Sequence, residues 1–152
     1  MANTQAFCTQ AKADLMNGLH AFGASVIRAA TTKDAYKAAL YLATATRGAG
    51  DTVYSVTGEV SGTNYVAGGV AVTTATGPSV TGTTAFFTPS ASIVYTTVTL
   101  ATAFDAVLIY NDTSATKLAV SVHTFGSQTI TAGTLTLTMP TNDATNGLIR
   151  IA

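Results

Sequence analysis

From Phe104 to Phe125 the chain reads FDAVLIY, then NDTSAT, then KLAVSVH. Two runs rich in apolar and β-branched residues flank six turn-forming ones, which is the signature of a β-hairpin. In the first run Phe104, Ala106, Leu108 and Tyr110 share one face, and Asp105, Val107, Ile109 and Asn111 share the other. Apolar residues on both faces predict a central strand covered on both sides. In the second run Leu118, Val120 and Val122 are expected to point inward, with Ala119, Ser121 and His123 on a more polar side.

The same alternation marks other strands. Tyr36, Ala38, Leu40 and Leu42 alternate with Lys37, Ala39 and Tyr41. Short extended pieces are expected at 53–56, around Val70 and Val72, at 84–88 and at 93–100. Residues 128–139 read as one or two strands with a bulge or turn at Ala132–Gly133, stopped by Pro140. LIRI closes the chain as a short strand. Gly68–Gly69 and Gly77–Pro78 read as turns. The Ala and Lys of 35–42 would also allow a helix, but the convincing helical period is at residues 4–22: Phe7, Ala11, Leu15, Leu19 and Phe22 fall on one stripe, and Gly23 is the expected stop. Residues 24–32 read as a short strand or a linker.

Eight to ten short strands with turns every 8–12 residues predict a mainly β fold. The form expected is an antiparallel, jelly-roll-like β-sandwich with one N-terminal helix. The division expected within this single domain is an arm and helix at 1–23 and the sandwich at 24–152.

Composition adds a constraint on function. Of the 152 residues 9% are charged, with seven acids and seven bases, against roughly 25% charged in an average domain. Thr makes up about a fifth of the chain, a β-leaning choice because it branches at Cβ. The balance supplies no basic stripe for nucleic acid and no polybasic membrane patch. So few charges leave a surface that is easily desolvated and suited to assembly into a homo-oligomer, dimer or trimer. The opening MANTQAF has neither the basic nor the apolar region of a signal peptide, and no apolar run is long enough for a membrane helix.

Candidate chemistry is sparse. Cys8 is the sole cysteine, so no internal disulfide or Cys-rich zinc site is expected. His20 and His123 are the only histidines, and nothing places further ligands beside them, so no metal and no cofactor are expected. Asp112 and Asp143 sit in turn sequences, where Asx hydrogen bonds account for them. Asp105 is an acid inside an apolar strand, and a Lys or Arg partner at a strand end or edge is expected for it. Asn111-Asp112-Thr113 matches a glycosylation sequon. No nucleophile elbow or phosphate loop occurs, so the chain is read as non-enzymatic.

Partner contact is expected where glycines let backbones approach, at 58–69 and 77–82. The residues singled out are Asn64, Tyr65 and Val66, with Phe86 and Phe87 nearby; residues before Phe7 are a second candidate, as an arm reaching a neighbour.

Over nearly its whole length the chain resembles small virion structural proteins of tailed bacteriophages. The stretches that carry the resemblance are AKADLMNGLHAF, YKAALYLATAT, EVSGTNYVAGGVAVT, FDAVLIYND and PTNDATNGLIRIA. The resemblance implies a place in the virion after synthesis in the host cytoplasm, and contact with the major capsid protein or other virion proteins. A jelly-roll-like member of this size is most similar to a head decoration, or cement, protein. A neck, tail or fibre component is the alternative within the particle. A carbohydrate-binding sandwich is the rival from another class. Its sugar platform would have to come from Tyr41, Tyr54, Tyr65, Tyr95 and Tyr110, since the chain has no Trp.

Overall fold

The structure is a computed structural model, and it describes residues 3–8, 11, 15, 19–22, 33–82 and 84–151. It is mainly β, and every strand pair is antiparallel. In chain order the strands are β1 (Ala6–Phe7), β2 (Tyr36–Leu42), β3 (Val70–Val72), β4 (Ser79–Thr81), β5 (Thr84–Phe87), β6 (Ile93–Asn111), β7 (Ala119–Leu137) and β8 (Ile149–Ile151). One sheet runs β1-β7-β6-β2-β3, and a smaller one runs β4-β5-β8.

The expected strands at 93–100 and 104–110 are parts of one strand, and those at 117–123 and 128–139 are parts of another that runs from Ala119 to Leu137. β6 and β7 have 19 residues each. Straight, such a strand would reach about 60 Å, four times the ~15 Å radius of gyration expected for a domain of this size. The ribbon therefore bends. Leu100 pairs with Ile130 but Phe104 with Gln128, and Ala106 then pairs with Thr124. Extra residues on both strands make a corner there. Beyond it, Ile93 and Leu137 line the same cleft as Val107, Ile109 and His123. The Tyr95 hydroxyl donates to the Ala38 carbonyl at 2.8 Å. The outer half of the ribbon thus lies over the inner half, and the two enclose the main core.

That core holds Tyr36, Ala38, Leu40, Val107 and Ile109 from one layer. Tyr95, Val98, Leu100 and Leu135 come from the folded-over ribbon, and Phe87 and Ile149 from the small sheet. The opposite face of the large sheet carries Ala39, Tyr41, Leu108, Tyr110 and Val122, covered by Cys8, Ala11, Ala45 and Tyr54. Both faces of β2 and inner β6 are buried, as the apolar pattern predicts for central strands.

Bulges change the expected facings. Ile109 pairs with Ser121 and Tyr110 with Ala119, so Val120 is the extra residue of a bulge. Val120 therefore turns to the main core while Val122 joins the opposite cluster. Asp105 is the extra residue between Phe104, opposite Leu42, and Ala106, opposite Tyr41. For that reason Phe104 leaves the face of Ala106 and Leu108. Asp105 Oδ1 accepts from Asn3 Nδ2, and among the described residues no Lys or Arg pairs with it. The bulge expected at Ala132–Gly133 is present, with Ala132 at φ 46° and its amide donating to Thr99 Oγ1 at 2.9 Å.

The N-terminal helix expected over 4–22 is not seen: its start is a strand and its end, 19–22, is irregular. Ala6 and Phe7 form a strand on Val122 and Ser121. Phe7 can pair there because period-two burial suits it as well as a helical stripe does. Ala11 and Leu15 have helical backbone, while 19–22 are irregular. The remainder of that expectation, with Gly23 and 24–32, lies outside the described residues. Among the described residues no helix is long and apolar enough to cross a membrane.

Candidate partner-contact surface

Glu59 organises the loop between β2 and β3. It is 8% exposed, and its only described bridge partner is Tyr41 of β2. A buried carboxylate must be satisfied by donors. Tyr54 Oη donates to Oε2 at 2.6 Å, while Tyr65 Oη and the Gly68 amide each donate to Oε1 at 2.7 Å. Tyr65 Oη also accepts from the Leu40 amide at 3.0 Å. Tyr110 Oη donates to the Gly68 carbonyl at 2.9 Å. Burial, reinforced by the hydrogen bonds to Glu59, pushes the Tyr54 and Tyr65 hydroxyls well above their ordinary range. Burial also pushes Tyr110 up, to about 12, with Asp112 and Glu59 adding to it.

Glycines bring this loop onto the sheet. A Cβ on Gly69 (φ 73°) would lie 1.6 Å from the Ala38 carbonyl oxygen, and one on Gly62 would lie 2.0 Å from that of Thr99. The close approach expected of these glycines is thus made to the chain's own strands. Thr63 and Thr99 complete the seam through two backbone hydrogen bonds.

The clamp leaves the loop rim outward. Val66 is 73% exposed and Val56 65%. Asn64 is exposed in left-handed backbone (φ 61°), and its Nδ2 donates to the Thr97 carbonyl at 2.8 Å. Tyr65 is half-buried with its hydroxyl committed inside. Phe86 and Phe87 are buried, and Phe87 packs on Phe22 with ring centroids 5.0 Å apart. Of the five residues singled out from sequence, then, Asn64, Tyr65 and Val66 form one surface and the two phenylalanines face inward. Val56 was missed, because exposure inside a valine-bearing stretch leaves no pattern in sequence.

The N-terminal segment is tied to its own chain. The Asn3 side chain donates to the Leu42 carbonyl and accepts from the Arg47 amide, both at 3.0 Å. Thr4 N donates to Arg47 O at 2.9 Å and Cys8 N to Val120 O at 3.2 Å. Residues 3–8 are therefore a docked edge in this chain. Asn111 is 1% exposed, with Oδ1 accepting from the Thr113 and Ser114 amides and Nδ2 donating to Asp34 at 2.9 Å. A glycan has no room there. Asn111 supplies the turn bonds expected of Asp112, which instead pairs with Lys117 at 2.8 Å and Lys37 at 3.3 Å. Those lysines hold its carboxyl below the usual range.

None of the six tyrosines is exposed, so no stacking platform for sugars is formed by them. Among the described residues no group of three or more His, Cys, Asp and Glu could hold a metal ion. Charge is distributed unevenly: no Asp, Glu, Lys, Arg or His occurs between Glu59 and Asp105, or between His123 and Asp143. The outer ribbon and the Asn64–Val66 rim both lie in these stretches. No family model, curated protein or solved structure matches this chain.

Proposed function

We propose that this protein is a non-enzymatic structural component of a phage particle, a capsid decoration or cement protein that binds over major capsid subunits and stabilises the head. The observation that supports this reading is the clamped 53–69 loop. Three donors from within the loop converge on Glu59, and the Leu40 amide and the Tyr110 hydroxyl tie the loop to the sheet, while Val56 and Val66 stand exposed on its rim. Ordering such a loop in advance lowers the entropy cost of docking. The charge-free stretch that begins after Glu59 and holds Val66 can be desolvated without stranding ions. A protein acting through covered area needs no catalytic group, and repeated copies on a lattice add avidity. The jelly-roll-like form of the sandwich and the association of copies into a homo-oligomer belong to the same proposal.

The test is co-sedimentation with heads that lack the protein. Saturable binding, weakened by Val66→Asp, is the expected result. Binding confined to isolated tails would replace the decoration reading with the neck, tail or fibre one, and no binding to any particle would defeat both.

A further inference from the structure

We propose that two copies of this chain pair edge to edge through the end of β7, across a two-fold axis at Thr136. The inference rests on the part of the proposed function in which copies associate, and not on any place in a particle.

The first observation is an open edge. Among the described residues β1 covers β7 only at Ser121 and Val122, and β6 lies on the other side. An uncovered strand edge presents unpaired amide and carbonyl groups that template another strand. Natural edges are commonly blunted by charge or Pro, yet Thr124–Leu137 contains neither.

The second observation is the sequence along that edge. Between the bulge at Ala132 and Pro140 the chain reads Thr134-Leu135-Thr136-Leu137-Thr138, which is a palindrome about Thr136. Antiparallel pairing of this segment with its own copy places Thr136 opposite Thr136, Leu135 opposite Leu137 and Thr134 opposite Thr138. Each is a like-with-like cross-strand pair of a favourable kind, with no charge to oppose it. The faces also match: Thr134, Thr136 and Thr138 are exposed, Leu135 is buried and Leu137 half-buried. Bulge and Pro on either side fix the register that a longer plain strand would leave free. A two-fold axis makes such an interface self-complementary.

The third observation lies beside the edge. A cleft of about 270 Å³ opens between the layers, walled by Phe125, Leu137, Met139 and Leu148. A second strand laid on β7 extends the sheet over its mouth.

The experiment uses the purified full chain in solution. Mass measurement is expected to give two chains for the wild type and one each for Thr136→Lys and Thr136→Glu. An equimolar mixture of the two variants is expected to return to two chains. A second variant guards against misfolding: Thr136→Cys should cross-link to its copy on mild oxidation, since facing Cβ atoms in such pairs are about 4.5–5.5 Å apart. Thr116→Cys, exposed in the turn at the other end of β7, should not cross-link. A wild type of one chain at all concentrations overturns the inference. So does a dimer unaffected by both charged variants, or cross-linking at Thr116→Cys alone. Particle binding is scored separately, so a monomer that still coats heads would defeat this interface and leave the decoration reading standing.

Discussion

Tyr65 and Glu59 are joined by a 2.7 Å hydrogen bond, and the same Tyr65 hydroxyl receives the Leu40 amide at 3.0 Å. One oxygen atom therefore links the loop to strand β2. Tyr65→Phe should leave both neighbours short of a partner and cost on the order of 1–3 kcal/mol. Glu59→Ala strands three donors and should cost more, on the order of 2–5 kcal/mol. Urea unfolding monitored by circular dichroism measures both. If Glu59→Ala costs less than Tyr65→Phe, the carboxylate is not the hub of the clamp.

Leu108 is fully buried between Val122 and Ala39 on the sheet face opposite the main core. Leu108→Ala should cost about 2–5 kcal/mol, because the small residues around it leave little to collapse into the space. A loss below about 0.5 kcal/mol, the size of a surface substitution, would put Leu108 outside the core.

The Cys8 thiol is fully buried, and burial, with Asp51 adding to it, pushes it up to about 11. The thiolate is the reactive form. Native protein at neutral pH should therefore resist a thiol reagent, and denatured protein should react at once. Rapid modification of the native state would show that the 3–8 segment lifts off the sheet.

Burial lowers His123 from 6.5 to about 4. In this pH range the unfolded chain binds the proton more readily than the fold does, so the group favours folding while it is neutral. That contribution is complete above about pH 6.5 and falls away as pH drops toward 4. The melting temperature should decline across this window, and His123→Asn should flatten the decline. An unchanged slope in the variant would assign it to the carboxylates instead.

The strands around Phe104 and Tyr36 were legible in the sequence because period-two alternation is a direct print of a covered sheet. Their exact facing was not. Val120 and Asp105 are each the extra residue of a bulge, and a bulge is set by the partner strand, which the local pattern does not contain. The ribbon corner was hidden for the same reason: 101–103 and 124–127 fall between the expected strands, yet they continue two strands around a bend. The helical stripe at Phe7 misled because Phe7, half-buried, and Ala11, buried, face the core in either geometry. Asn64, Tyr65 and Val66 were singled out from their glycine neighbours, but those glycines serve approach to the chain's own strands, and of the three only Asn64 and Val66 stand exposed. Glu59 was not, since one acid among valines and glycines carries no sign that the hydroxyls of Tyr54 and Tyr65, on either side of it, fold back onto its carboxylate.

The folded-over ribbon sets the order in which the chain can come apart. Its turn, 112–118, belongs to the inner layer, and its open end, at Ile93 and Leu137, belongs to the outer one. A hairpin frays from its open end, so the outer layer is the first to loosen and the inner layer the last. Amide exchange along β6 should accordingly slow from Val94 toward Leu108. The same continuous backbone that encloses the core also grades its protection, from a loosely held lid to a floor that opens only when the whole molecule does.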